Sequence, residues 1–144
     1  MRIDSTKRLL LDAEKGDANS QFNLGVLYDN RLDDNNYPTA GNRTGAIKWL
    51  RRAAQQGLPR AQARLAEIYA HGPEAPADYV KAYAWFLLAA TNLSGIHRQR
   101  ARSAYERISL RMTPSQIAKA RRLARVWKPK TQDHVATAQS PEIS

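Results

Sequence analysis

The chain has 144 residues and 16.2 kDa, room for one ordinary domain or a short array of repeats and too little for two independent cores. It is 42% hydrophobic, its longest apolar run, Ala82 to Ala90, is about half of the ~18 residues a membrane helix needs, and it has no cysteine. Disulfides, thiolate nucleophiles, iron–sulfur clusters and thiolate zinc sites are thereby excluded. The net charge of +10 is uneven: residues 1–90 hold twelve Lys/Arg against ten Asp/Glu, residues 91–144 eleven against three. The last third is a polycation, which suits an acidic partner.

In chain order, the first predicted element is a helix over roughly Ser5 to Lys15, ending at Gly16. The next segments repeat. Ala13, Gly16, Gln21, Leu24 and Tyr28 recur as Ala54, Gly57, Gln62, Leu65 and Tyr69, a constant offset of 41. Ala46, Trp49, Ala53 and Ala54 recur as Ala82, Trp85, Ala89 and Ala90, an offset of 36. The difference places five extra residues in the first repeat, within Arg31 to Gly45, whose Asp, Asn, Gly and Pro38 are loop-forming.

Each half-repeat has apolar residues at helical spacing: Leu24, Leu27 and Tyr28 in the first, Ile47, Leu50, Ala53 and Ala54 in the second. Asp17, Thr44 and Asp78 stand where an N-cap is wanted, and Gly16 and Gly57 where a helix ends in a left-handed residue. The spacing therefore predicts stacked helical hairpins, with repeats over 13–54 and 54–90 and the opening helix as an N-terminal cap. Trp49, Trp85, Leu24, Leu65, Tyr28 and Tyr69 are the expected core.

A degenerate third hairpin is expected over 95–127. Ala101, Ala104, Tyr105 and Ile108 form one apolar face. Thr113-Pro114-Ser115-Gln116 then opens a last helix, with Thr113 as N-cap, Pro114 at the first position and Gln116 completing a capping box. Ile117, Ala120, Leu123, Ala124 and Trp127 make its buried stripe. The expectation is an all-α solenoid (an α/α superhelix) of about seven helices over residues 1–127, followed by a disordered tail, 128–144.

The pattern Ala-x-x-Gly-Asp-Ala-x-x-Gln-x-x-Leu-Gly-x-x-Tyr, followed by a loop and Ala-x-x-Trp-x-x-x-Ala-Ala, resembles the Sel-one-like repeat (SLR), a bacterial and eukaryotic relative of the tetratricopeptide repeat. Residues 13–54 and 54–90 carry the likeness, and the stretch Met112 to Arg125 resembles the terminal segment of many bacterial proteins of this kind. The resemblance implies an adaptor or scaffold that holds other proteins and has no chemistry of its own. Some relatives are credited with β-lactamase activity, which these residues do not support.

No phosphate loop, G-x-G-x-x-G, G-x-S-x-G or H-E-x-x-H is present. His71, His97 and His134 are far apart, read as lying in a loop, near a helix start and in the tail, and Asp33-Asp34 sits in a loop of solvated polar residues. No enzyme activity, cofactor or metal is expected. The start Met1-Arg2-Ile3-Asp4-Ser5 lacks a basic region with an apolar stretch behind it, so a cytoplasmic location is expected.

Two surfaces are candidates for binding. Solenoid first helices line a concave face; there Asn19 and Asn23 share a side at i, i+4, and the repeat offsets carry them onto Arg60 and Arg64, then Arg64 onto Arg100. An Asn and Arg ladder suits an extended peptide, since Asn bonds both peptide groups and Arg grips carboxylates; a solvated helix face is the competing reading. The second surface is the basic side of the last helix, Lys119, Arg121, Arg122 and Arg125, suited to an acidic protein or a nucleic acid, or else a soluble cap.

Overall fold

A computed structural model describes residues 5–29, 43–71 and 77–130. Seven helices run in order: α1 (Ser5–Glu14), α2 (Ala18–Asp29), α3 (Arg43–Gln55), α4 (Pro59–His71), α5 (Tyr79–Asn92), α6 (Gly95–Ser109) and α7 (Pro114–Val126), with no strand among the described residues. This is the all-α solenoid expected from the repeats. The loop expected over Arg31 to Gly45 lies outside the described residues as far as residue 42, as do Asp33, Asp34 and His134.

The helix ends follow the local chemistry. Gly16 and Gly57 adopt φ of 107° and 100°, where a side chain would be strained, and turn the chain out of α1 and α3. Asp17 Oδ2 accepts a bond from the Ser20 N–H at 2.9 Å, and Asp78 Oδ1 one from the Lys81 N–H at 3.1 Å. Thr113 and Gln116 form the full capping box ahead of α7, at 3.1 and 2.9 Å. Two expectations shift. Thr44 does not precede its helix, because α3 already begins at Arg43. His71 is the last residue of α4 rather than part of a loop.

The helices pair as α2 with α3 and α4 with α5; α3 packs on α4 and α5 on α6, while α1 packs on α2. Alanines line these contacts: Ala46, Ala53, Ala54, Ala61, Ala66, Ala82 and Ala89 are all fully buried, so the backbones approach closely. Gly25 carries this furthest, since a Cβ there would sit 2.7 Å from Leu50 Cγ. Trp49, Trp85, Leu24 and Leu65 are buried as expected. Tyr28 and Tyr69 are half-buried, the Tyr69 hydroxyl reaching outward to accept from Arg51 at 3.2 Å.

A hydrogen bond recurs at each repeat boundary. Gln21 Nε2 donates to the Ala13 carbonyl at 3.0 Å and Gln62 Nε2 to the Ala54 carbonyl at 3.1 Å, each eight residues back in the last turn of the preceding helix. At the same register in the third unit, Arg98 Nε donates to the Ala90 carbonyl at 3.1 Å. The backbone group left open at a helix C-terminus is thus satisfied from the next helix, which fixes the angle between them. Gln21 is completed by Gln56, whose Nε2 donates to Gln21 Oε1 at 2.9 Å, whereas Gln62 Oε1 is buried without a partner among the described residues.

The C-terminal unit departs from hairpin geometry. Helices α6 and α7 each pack on α5 rather than against one another as the earlier pairs do. Side chains of α5 explain it: the Tyr83 ring meets Tyr105 of α6 at 5.1 Å while its hydroxyl accepts from Arg121 of α7 at 3.3 Å. Trp127 sets its edge on Trp85 at 6.1 Å, and Ala120 is fully buried beneath α7. The chain then runs back over the α3–α4 turn, where the Lys130 N–H donates to the Gln55 carbonyl at 2.6 Å. Of the tail expected over 128–144, residues 131–144 lie outside the described residues. Among the described residues no helix is long and apolar enough to cross a membrane.

Candidate functional site

Three of the five residues proposed for the first surface come together. Arg60, Arg64 and Arg100, from α4 and α6, line one groove of about 360 Å³ whose floor includes Phe22, Ala63, Phe86 and Leu93. Asn19 joins through Arg60, whose Nη2 donates to Asn19 Oδ1 at 3.0 Å, a bond between residues exactly one repeat offset apart. Asn23 is exposed on α2 and is not among the lining residues.

The arginines are not equivalent. Arg64 is committed to Asp29 at the end of α2: its Nη2 lies 3.0 Å from Asp29 Oδ2, and Arg43 approaches Oδ1 of the same carboxylate at 3.2 Å. Asp29 therefore holds α2, α3 and α4 together. The Arg60 guanidinium lies over the Phe22 ring, 4.8 Å from its centroid, and bonds the neutral Asn19, so among the described residues its charge is directed but not neutralised. Arg100 is exposed and has no acidic partner among the described residues. Glu67 and His97 complete the rim.

Glu67 and His97 had a signal in the sequence, because they stand three residues from Arg64 and Arg100 and so share their helix faces. Phe22 and Phe86 had none, as each reads equally well as ordinary core. The ion pair to Asp29 could not be read from spacing, since it joins residues 35 apart across a helix pair.

On the second surface, Lys119, Arg121, Arg122 and Arg125 are all exposed, and none has an acidic partner among the described residues. Ala120 is buried and Ile117, Leu123, Ala124 and Trp127 are half-buried on the opposite side, so burying the stripe leaves the charges in water. Among the described residues no three His, Asp or Glu side chains gather in a way that could hold a metal ion.

A family model for the Sel1 repeat matches residues 18–58 and 59–92. The chain is similar to a crystallised protective antigen of uropathogenic Escherichia coli strains displaying an SLR fold, with 30% identity and a TM-score of 0.66. That likeness covers 94% of this chain but only 30% of the antigen's length. It is also similar to a Sel1 repeat protein from Oxalobacter formigenes, with 28% identity over 80% of this chain and 96% of that one, and a TM-score of 0.50. No curated protein matches the chain significantly.

Proposed function

The chain belongs to the Sel1 repeat family, and we propose that it is a non-enzymatic adaptor that holds an extended segment of a partner protein in the groove between its first helices. The observation that carries this reading is the convergence of Arg60, Arg64 and Arg100 on one apolar-floored groove. Asn19 orients Arg60 within it, and Asn23, one turn along the same helix, extends the polar margin. Such a surface supplies both terms a peptide needs, apolar contact for affinity and directed donors for register. A photo-crosslinking amino acid at Ala63 in the groove is expected to capture a partner that the same group at Lys48, exposed on α3, does not. Equal capture from both positions, or capture from Lys48 alone, overturns the groove as the binding site.

A second reading rests on the four unneutralised charges of α7: Lys119, Arg121, Arg122 and Arg125 bind a nucleic acid or another acidic partner. Counterion release makes such binding fall steeply with salt. A gel shift that is lost on raising salt and on Arg121→Glu/Arg122→Glu/Arg125→Glu supports it, and no shift at low salt dismisses nucleic acid. A cytoplasmic site of action belongs to the proposal, and cell fractionation tests it.

A further inference from the structure

The geometry points to a specific ligand chemistry for the groove: a peptide segment that places an apolar side chain between two carboxylates, one meeting Arg60 and the other Arg100. This rests on the groove being the binding site, and it adds the class of partner. The charges lining the groove are not balanced. Arg64 is paired with Asp29 at 3.0 Å, a carboxylate it shares with Arg43, whereas Arg60 and Arg100 are cations without acidic partners among the described residues. Against them stands one carboxylate, Glu67, in the same helix as Arg60.

The two cations belong to different helices, α4 and α6, so they stand on separate walls with apolar surface between them: Ala63, Phe86, Leu93 and Ala101. A neutral or basic segment would find the apolar surface and leave both guanidiniums without counter-charge. An acidic segment without an apolar residue would satisfy the guanidiniums and leave the half-buried Ala63 and Leu93 facing water. Only a segment with both elements uses the whole surface. Arg60 is already aimed, held between the Phe22 ring at 4.8 Å and the Asn19 oxygen at 3.0 Å. A carboxylate arriving there needs little side-chain ordering, which favours binding. Arg100 is the less restrained of the two, which lets segments of different spacing reach it.

A random dodecapeptide library panned on the full-length chain tests this, with affinities of the enriched peptides measured by fluorescence anisotropy. The expected result is a set of peptides with Asp or Glu on both sides of an apolar residue. Their affinity falls about tenfold or more on Arg60→Glu or Arg100→Glu, as for a lost charge-assisted contact, and is unchanged on Lys48→Glu, exposed on α3 away from the groove. Arg100→Glu is the safer variant for folding, because the residue is exposed and has no acidic partner among the described residues, and its helical circular dichroism serves as the control. Peptides that lose binding on Ala63→Trp, which fills the groove, but lack acidic residues and ignore both charge reversals overturn the ligand class while leaving the groove in place. No enriched peptides, or peptides indifferent to Ala63→Trp, overturn both.

Discussion

Replacing Gly25 with alanine sets two effects of opposite sign against each other. In an exposed helix the change is favourable by about 1 kcal/mol, because alanine gives up less backbone entropy. At Gly25 the added Cβ would lie 2.7 Å from Leu50 Cγ, 2.9 Å from its Cδ2 and 3.2 Å from its backbone N. The first two atoms are the branch carbon and one methyl of a fully buried side chain and the third belongs to the backbone of α3, so α2 and α3 have to separate. Overpacking of this kind costs about 1–3 kcal/mol. The net expectation is a loss of about 1 kcal/mol, or about 3–4 °C in Tm for a chain of this size. The Leu50→Ala background isolates the cause, since it removes Cγ and Cδ2 at its own cost of about 2–5 kcal/mol. There, Gly25→Ala should be neutral or stabilising by up to about 1 kcal/mol. Urea unfolding followed by far-UV circular dichroism on the four proteins of the cycle gives the coupling directly. A neutral or stabilising effect of Gly25→Ala in the parent chain refutes close helix approach as the reason glycine is needed, and an equal cost in both backgrounds refutes the Leu50 side chain as the atom group it must avoid.

Three further outcomes follow from the same packing. Asn92 stands one repeat after Gln56 with a side chain one methylene shorter, and Gln62 Oε1 has no partner among the described residues where Gln56 serves Gln21, so Asn92→Gln should supply the missing donor and raise stability by about 0.5–1 kcal/mol in urea titration. Arg98→Ala should cost about 1 kcal/mol by removing the bond to the Ala90 carbonyl, while Arg98→Gln, which restores the residue of the other two boundaries, should cost less than half of that. Trp127→Ala should cost about 2 kcal/mol and alter the fluorescence of the buried Trp85, whose ring it meets edge-on.

The helices, their hairpin pairing and the alanine-lined core were legible because each is dictated by local spacing repeated at fixed offsets. What remained hidden depends on which helix lies beside which. Gln21 and Gln62 were visible as identities, but their task, satisfying a carbonyl eight residues back, exists only once the next helix has turned over the last. Arg98 performs the same task with different chemistry, so no identity marked it. The third hairpin was expected by extrapolating the repeat, yet α7 carries its alanines and Trp127 to α5, because Tyr83 and Trp85 offer a better surface than the polar face of α6. The groove was half legible: repeat register aligned Arg60, Arg64 and Arg100, whereas the pairing of Arg64 with Asp29 and the apolar floor required the fold.

The proposed function stands on partner binding through the groove and not through the basic helix. Once a partner segment is in hand, isothermal titration of it against the full chain, Arg60→Glu/Arg100→Glu and Arg121→Glu/Arg122→Glu/Arg125→Glu compares the two surfaces in one measurement. The groove variant is expected to weaken binding by about tenfold or more, and the α7 variant to change it by about threefold or less with most of that change removed by added salt. Unchanged affinity in the groove variant, with binding abolished by the α7 variant at moderate salt, contradicts it.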